Sequence, residues 1–330
     1  MYKTMRPIFL YTLLVSFISI GLNAQDVDYS IISVPEESGM QFVKITEDND
    51  AVCMPQVVRR TKNISWFTNR IIDVSPDGEN IAFLSYKNNR TNIFIKSLQD
   101  KGASIQRTNR SNVIDFSYSP DGKYICFSEK SGNVIQLFRT EAASGYICRQ
   151  ITNNNKDLSP IYSADMSQIF FSREEQNGYG LWSYDLDGNF LLSYTNGINP
   201  ARASEHSTIL FVRVNNEGRG EIWKSDYKNG IEECIVTDAQ SSFSSPCMSP
   251  DGNWILFVGS KKIATESFEY WNTDLFVVKK DGTCFTQLTY HAADDLSPIW
   301  SADGTNIYFI SQRGSAAATA NVWKIPFNIK

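Results

Sequence analysis

Six times between Ser75 and Phe309 the chain repeats one short pattern, a tight turn followed at once by Ile-x-Phe. The six copies are SPDGENIAF (75–83), SPDGKYICF (119–127), SADMSQIFF (163–171), ASEHSTILF (203–211), SPDGNWILF (249–257) and SADGTNIYF (301–309). In the turn, Pro presets the first backbone angle, Asp bonds back to its own main chain, and Gly supplies a left-handed residue. Ile and Phe, two apart, then share one face of a strand. The copies start 44, 44, 40, 46 and 52 residues apart. A repeat of that length means that each unit buries its apolar face against its neighbours.

A second signature follows inside every unit, an aliphatic residue next to an aromatic one. The pairs are Ile93-Phe94, Leu137-Phe138, Leu181-Trp182, Ile222-Trp223, Leu275-Phe276 and Val322-Trp323. A few residues later a Gly opens another strand that ends in Thr, as in GYICRQIT (145–152), GNFLLSYT (188–195), GIEECIVT (230–237) and GTCFTQLT (282–289), with a weaker copy at 102–109. Each unit therefore reads as four antiparallel strands in about 45 residues, which is a propeller blade. The chain is expected to be all-β, a six-bladed β-propeller occupying 39–330 as a single domain. The sixth unit ends at Lys330 without a Gly…Thr strand, and GMQFVKIT (39–46) supplies one at the other end of the chain. The prediction is that 39–46 closes the ring as the outer strand of blade six, because an open edge there would invite aggregation.

With six copies of Ser-[Pro/Ala]-Asp-Gly-x-x-Ile-x-Phe or its variants, four of them with the turn intact, residues 39–330 resemble the TolB-type β-propellers, the WD40-like repeats of exported bacterial proteins. The resemblance implies the fold and leaves the role open. In that family the propeller serves as a docking platform in the Tol–Pal envelope system, as the lid of prolyl-oligopeptidase-like enzymes, and as the body of oligogalacturonate lyases. TolB carries a small α/β domain before its propeller, whereas only Gln25 to Ser38 lie between the leader and the closing strand here. The peptidases use a G-x-S-x-G elbow, which this sequence does not contain. The lyases resemble a metal site built largely from His, and this chain has two, His206 and His291.

The first 24 residues have the composition of a leader. Lys3 and Arg6 precede an apolar block of 13 residues, Ile8 to Ile20, and Gly21-Leu22-Asn23-Ala24 is a small-residue exit. The pattern predicts a cleaved signal peptide over 1–24, an N-terminal extension over 25–38, and a protein of the periplasm or the exterior. No later apolar run is long enough to span a bilayer. Without Lys3 and Arg6 the chain keeps 29 basic against 36 acidic residues, a net −7, which argues against nucleic-acid binding. Four of the six Cys (126, 148, 234 and 284) sit in apolar alternations and read as small buried hydrophobes, with one disulfide still open. No cofactor and no metal site is expected, and the chain should be monomeric.

In a propeller blade the a–b and c–d turns lie on one face of the ring, and the b–c and d–a loops lie on the other. The Ser-Pro-Asp-Gly turns are short and alike, so their face reads as structural. Length variation falls on the opposite face, in Glu47 to Arg70, in 259–273 of blade five and in 312–320 of blade six. Those segments crowd one sector, the rim of blades five, six and one. They carry Arg59, Arg60, Trp66, Phe67, Phe268, Glu269, Tyr270, Trp271 and Arg313. Trp, Tyr and Arg dominate interface energies, and sugar rings stack on the same aromatics. Trp66 and Trp271 would serve equally well to pack the loops onto the propeller.

Two functions stand at this point. The first is an exported, non-catalytic propeller that binds an envelope protein or a cell-surface glycan through this rim. The second is a saccharide-degrading lyase or glycosidase using carboxylates at the channel mouth. Its candidates are Asp157 in the loop NNNKDLSPIY (153–162) and His291, Asp294 and Asp295 in the loop YHAADDLSPIW (290–300). Paired carboxylates can act as acid and base or hold a hard cation, and more often they cap loops. His206 stands in an a–b turn and reads as a solvated turn residue, while Asp77, Asp121, Asp251 and Asp303 read as turn formers.

Overall fold

The computed structural model describes residue 29 and residues 34–55, 70–100, 102–146, 148–153, 155–176, 178–194, 196–203, 207–264 and 269–329. The expected signal peptide lies outside the described residues, as does His206. Among the described residues, twenty-four strands form six four-stranded antiparallel sheets arranged as a closed ring. Blade one is β2 (Ile72–Val74), β3 (Asn80–Lys87), β4 (Arg90–Ser97) and β5 (Ile105–Gln106). Blade two is β6 (Val113–Tyr118) to β9 (Cys148–Gln150), and blade three is β10 (Asp157–Tyr162) to β13 (Phe190–Tyr194). Blade four is β14 (Ile198–Arg202) to β17 (Ile231–Val236), and blade five is β18 (Ser241–Met248), β19 (Trp254–Ala264), β20 (Glu269–Lys279) and β21 (Thr286–Gln287). Blade six is β22 (Asp295–Trp300), β23 (Asn306–Ser311) and β24 (Asn321–Pro326), completed on its outside by β1 (Val43–Lys44).

The two sequence signatures turn out to be one cross-strand contact. The Phe of every Ile-x-Phe lies directly opposite the aromatic of the second signature: Phe83↔Phe94, Phe127↔Phe138, Phe171↔Trp182, Phe211↔Trp223, Phe257↔Phe276 and Phe309↔Trp323. Ring pairs such as Phe127–Phe138, 5.6 Å between centroids, stack across the strands. All six of these Phe side chains are fully buried, with the six Ile beside them.

The turn residues act as anticipated. Ser75 donates its hydroxyl to Asp77 at 2.5 Å, and the other carboxylate contact of the turn is the Glu79 N–H at 2.9 Å. The same Ser–Asp bond recurs at 119/121, 163/165, 249/251 and 301/303. The Gly of the intact turns has φ between 71° and 75°, and in the third copy Met166 occupies that left-handed position at 58°.

In four blades the Thr that ends the outer strand also has a defined task. Its hydroxyl accepts the backbone N–H of the aliphatic residue in the second signature: Thr108 from Ile93, Thr152 from Leu137, Thr289 from Leu275 and Thr46 from Val322, at 2.9–3.1 Å. Thr46 belongs to the N-terminal segment, and Val43↔Lys324 and Lys44↔Trp323 set the register of closure. The ring is therefore joined as the sequence requires.

Three features differ from the sequence-based expectation. Segments 153–162 and 290–300 are loops only in their first halves, since Asp157 and Asp295 open the inner strands β10 and β22. The described residues of segment 259–273, which are 259–264 and 269–273, are strand rather than loop. β19 and β20 remain paired through Ala264↔Glu269, so blade five carries a hairpin arm of two 11-residue strands. Among the cysteines, Cys126 is buried, but Cys234 is half-buried and Cys284 exposed, because outer strands and their turns face solvent. Cys53, Cys234, Cys247 and Cys284 are free cysteines, and the side chain of Cys148 lies outside the described residues.

Two stability predictions follow from this packing. Phe257→Ala should cost about 3–5 kcal/mol, the usual price of a large buried cavity, read from denaturant unfolding. Met166→Gly should raise stability by about 0.5–1 kcal/mol, since a side chain at positive φ is strained and Gly is not, less the backbone entropy that Gly loses.

Candidate functional site

Arg59, Arg60, Trp66, Phe67 and Phe268 lie outside the described residues. Tyr270 and Trp271 are placed by backbone register in the β19–β20 arm, opposite Ile263 and Lys262. Arg313, the remaining rim candidate, follows β23 and is buried. Its guanidinium bonds Asp295 at 2.5 Å and Glu37 at 3.0 and 3.3 Å, and lies 4.0 Å over the ring of Phe42. Burial works against the charge on Arg313, but Asp295 and Glu37 outweigh it and raise its pKa. Glu37 comes from the N-terminal extension and also accepts the Tyr290 N–H at 2.8 Å. Farther up that extension, Tyr29 exchanges two backbone bonds with Ser315 and Gly314 at 3.1 and 3.2 Å, and its ring lies 6.1 Å from that of His291. Tyr29 and Glu37 thus tie the extension to the rim of blade six at two points, and Arg313 is a clamp between Glu37 and the propeller.

The carboxylates of the second functional reading are built into the same region. Asp295 is completely buried; burial pushes its carboxyl up while Arg313 pulls the other way. Asp294 accepts the Thr273 hydroxyl at 2.6 Å and the Thr273 N–H at 3.1 Å, and burial raises its pKa as well. Asp274, which sequence reasoning did not single out, is pushed up to about 9 by burial first and then by the charges of Asp295, Glu37 and Asp294, so it is neutral at pH 7. It accepts from Asn272 and Gln287 at 3.1 Å. His291 is buried and accepts the Ala293 N–H at Nδ1, 2.9 Å. Asp157, the counterpart of Asp295 in blade three, is also fully buried and is gripped by Arg173 through two bonds of 2.7 and 2.9 Å. Arg173 in turn stacks 4.5 Å over Trp182. These acids therefore hold strands and the extension in place, and each has a partner within the chain.

Along the axis the six blades meet in a constriction. Every inner-strand segment lines it, with Arg70, Phe116, Pro160, Pro200, Pro246 and Pro298 and the residue before each of the four prolines, around a cavity of about 20 Å³, room for about one water. The residues before the four prolines, Ser159, Asn199, Ser245 and Ser297, have φ of 51–54°, and each marks a bulge in its strand. Bulges are where a sheet accommodates Pro and re-aims side chains. Below the constriction, on the face of the Ser-Pro-Asp-Gly turns, opens a funnel of about 440 Å³. The sequence offered no signal for it beyond the repeated Ser-Pro, because its walls come from all six blades.

The sequence model of the TolB beta propeller domain matches residues 33–228, more than half of the chain, and the chain belongs to that family. Among solved structures it is similar to a protein assigned as TolB from Agrobacterium tumefaciens, at 16% identity and TM-score 0.59 over 79% of this chain and 90% of that one. It is also similar to TolB from Acinetobacter baumannii, at 18% identity and TM-score 0.57 over 78% of this chain and 63% of the other. An oligogalacturonate lyase from Vibrio parahaemolyticus matches at 11% identity and TM-score 0.55 over 90% and 96%. Identities this low speak to fold alone. Another oligogalacturonate lyase structure was solved with manganese. Among the described residues no three His, Cys, Asp or Glu are grouped to hold a metal ion. Among the described residues no helix is long and apolar enough to cross a membrane.

The clamp predicts a measurable dependence. Glu37→Ala should lower stability by about 3 kcal/mol, near the low end for breaking a buried ion pair because Asp295 still faces Arg313. Limited proteolysis should then remove the segment before Ser38 much faster than in the wild type, and unchanged cleavage would show that Glu37 does not hold it.

Proposed function

We propose that this chain works as an exported, non-catalytic docking propeller that binds a protein or glycan of the cell envelope on the rim of blades five, six and one. The observation that carries the reading is the arm. Strands β19 and β20 have 11 residues, where other strands of the ring have at most eight, and the extra rungs include Lys262↔Trp271 and Ile263↔Tyr270. A two-stranded arm places aromatic and basic residues together at low entropy cost, as interface anchors require. Trp66, Phe67, Arg59, Arg60 and Phe268 belong to segments that begin or end in the same sector, and they complete the proposed surface. The engagement of Asp157, Asp294, Asp295 and His291 in internal bonds favours docking over turnover. Export follows from the leader-like first 24 residues, and a monomer is the expected state.

The test is to join Lys261 to Asn272 by a two-residue Asn-Gly turn, the connection that suits a hairpin. The shortened protein should unfold like the wild type and recover at least tenfold less partner in cross-linked pull-downs from the envelope fraction. Trp66→Ala with Trp271→Ala should do the same. Equal recovery by both variants places the contact elsewhere. The likeness to an oligogalacturonate lyase over 96% of that chain motivates a parallel incubation with oligogalacturonate. Formation of unsaturated ends there would replace docking with the lyase reading.

A further inference from the structure

The funnel on the opposite face has a charge that its own walls do not balance. Arg70, at its inner end, donates one N–H to the Pro246 carbonyl at 3.4 Å, and Arg202 donates one to the Tyr118 carbonyl at 3.0 Å. A guanidinium has five N–H donors. Among the described residues neither Arg70 nor Arg202 makes an ion pair, although both line the funnel. One carboxylate shares the floor, that of Asp73, and its two oxygens accept the N–H groups of Tyr118 and Val74 at 2.8 and 3.0 Å. Two guanidiniums against one acid leave a surplus of one positive charge. Burial depresses the Arg202 pKa; Asp73 partly restores it and the like charge of Arg70 lowers it further. The remaining walls are mixed: Val74, Pro76, Met248, Pro250, Ile299 and Trp300 supply an apolar part, and Ser75, Ser249 and Ser301 lie between them.

We propose that Arg202 and Arg70 bind one carboxylate at the floor of this funnel, belonging to a ligand whose apolar body lies against the walls. A planar carboxylate matches the paired N–H fork of Arg. The charge selects a monoanion, since a phosphate dianion beside Asp73 would leave a net negative charge in a half-buried site. The volume is in the range of pockets that take small molecules. A free small acid and the carboxyl end of a short peptide present the same group, and they are distinguished by the probes below. The site goes beyond the rim proposal: it lies on the other face, and neither depends on the other.

Calorimetric titration would use hexanoate, hexanamide, and an acetylated tetrapeptide ending in Leu as its free acid and as its amide. At least one acid should bind, and its amide at least tenfold more weakly. Binding of hexanoate alone assigns a small acid, and of the peptide acid alone a chain end. Arg202→Gln and Arg70→Gln should each weaken the acid at least tenfold, with Arg202→Lys intermediate. Should either Gln variant fail to fold, the wild type supplies a second measurement. Cys247 lines the funnel and Cys284 is exposed, so a bound acid should slow maleimide labelling of Cys247 and leave Cys284 unchanged. The proposal is overturned if no acid binds at millimolar concentration, if acid and amide bind alike, if folded Gln variants bind as the wild type does, if inorganic phosphate at pH 8 binds more tightly than either acid, or if Cys247 is not protected.

Discussion

Everything else in the fold rests on the closure of the ring at blade six. β1 contributes only Val43 and Lys44 to the ladder of blade six, and Thr46 then caps Val322 and accepts a place that a Thr fills in other blades. So short a strand cannot hold by its ladder alone. Phe42 packs edge-on to Phe309, and Arg313 lies over Phe42 while gripping Glu37 and Asp295. Closure is therefore shared between a strand, an aromatic contact and a buried ion cluster, all within the chain's first and last segments. Every other blade closes within itself; blade six alone depends on residues some 280 positions away, as Val43↔Lys324 illustrates.

That arrangement changes what the rim is. Arg313 reads from the sequence as a solvent-facing contact residue, because an Arg in an inserted loop usually is. In the fold it neutralises two acids, one of which comes from the N-terminal extension. Burial first, and then the carboxylates around it, push the Asp274 carboxyl up to about 9. The rim of blades five and six is thus internally satisfied at its base, and the hairpin arm of blade five extends beyond it.

The channel separates two surfaces of different chemistry. On one side are the N-terminal extension, the acid cluster and the arm. On the other is a funnel whose surplus charge is positive although the chain as a whole is acidic. The pinch between them is made by prolines on left-handed bulges. Such a pinch is built from backbone geometry, so it resists collapse better than one made of flexible side chains.

How much of this was legible follows from how local each determinant is. Ser-Pro-Asp-Gly, Ile-x-Phe, the aliphatic–aromatic pair and the terminal Thr each act within one blade, through period-two alternation, turn angles and single hydrogen bonds. They determined the fold, the count of six and the closing strand before any coordinate. The arm was misread as a loop because alternating polar and apolar residues in 259–273 carry no turn signal other than their length. Asp157 and Asp295 were seen as a matched pair, but their burial depends on Arg173 and Arg313 reaching them from other strands. Arg70 and Arg202 lie 132 positions apart and meet only because six inner strands converge on one axis. Sequence determined what repeats, since each repeat is specified by neighbours in the chain; tertiary structure decided which charges face each other, since electrostatic partners are chosen by proximity in space.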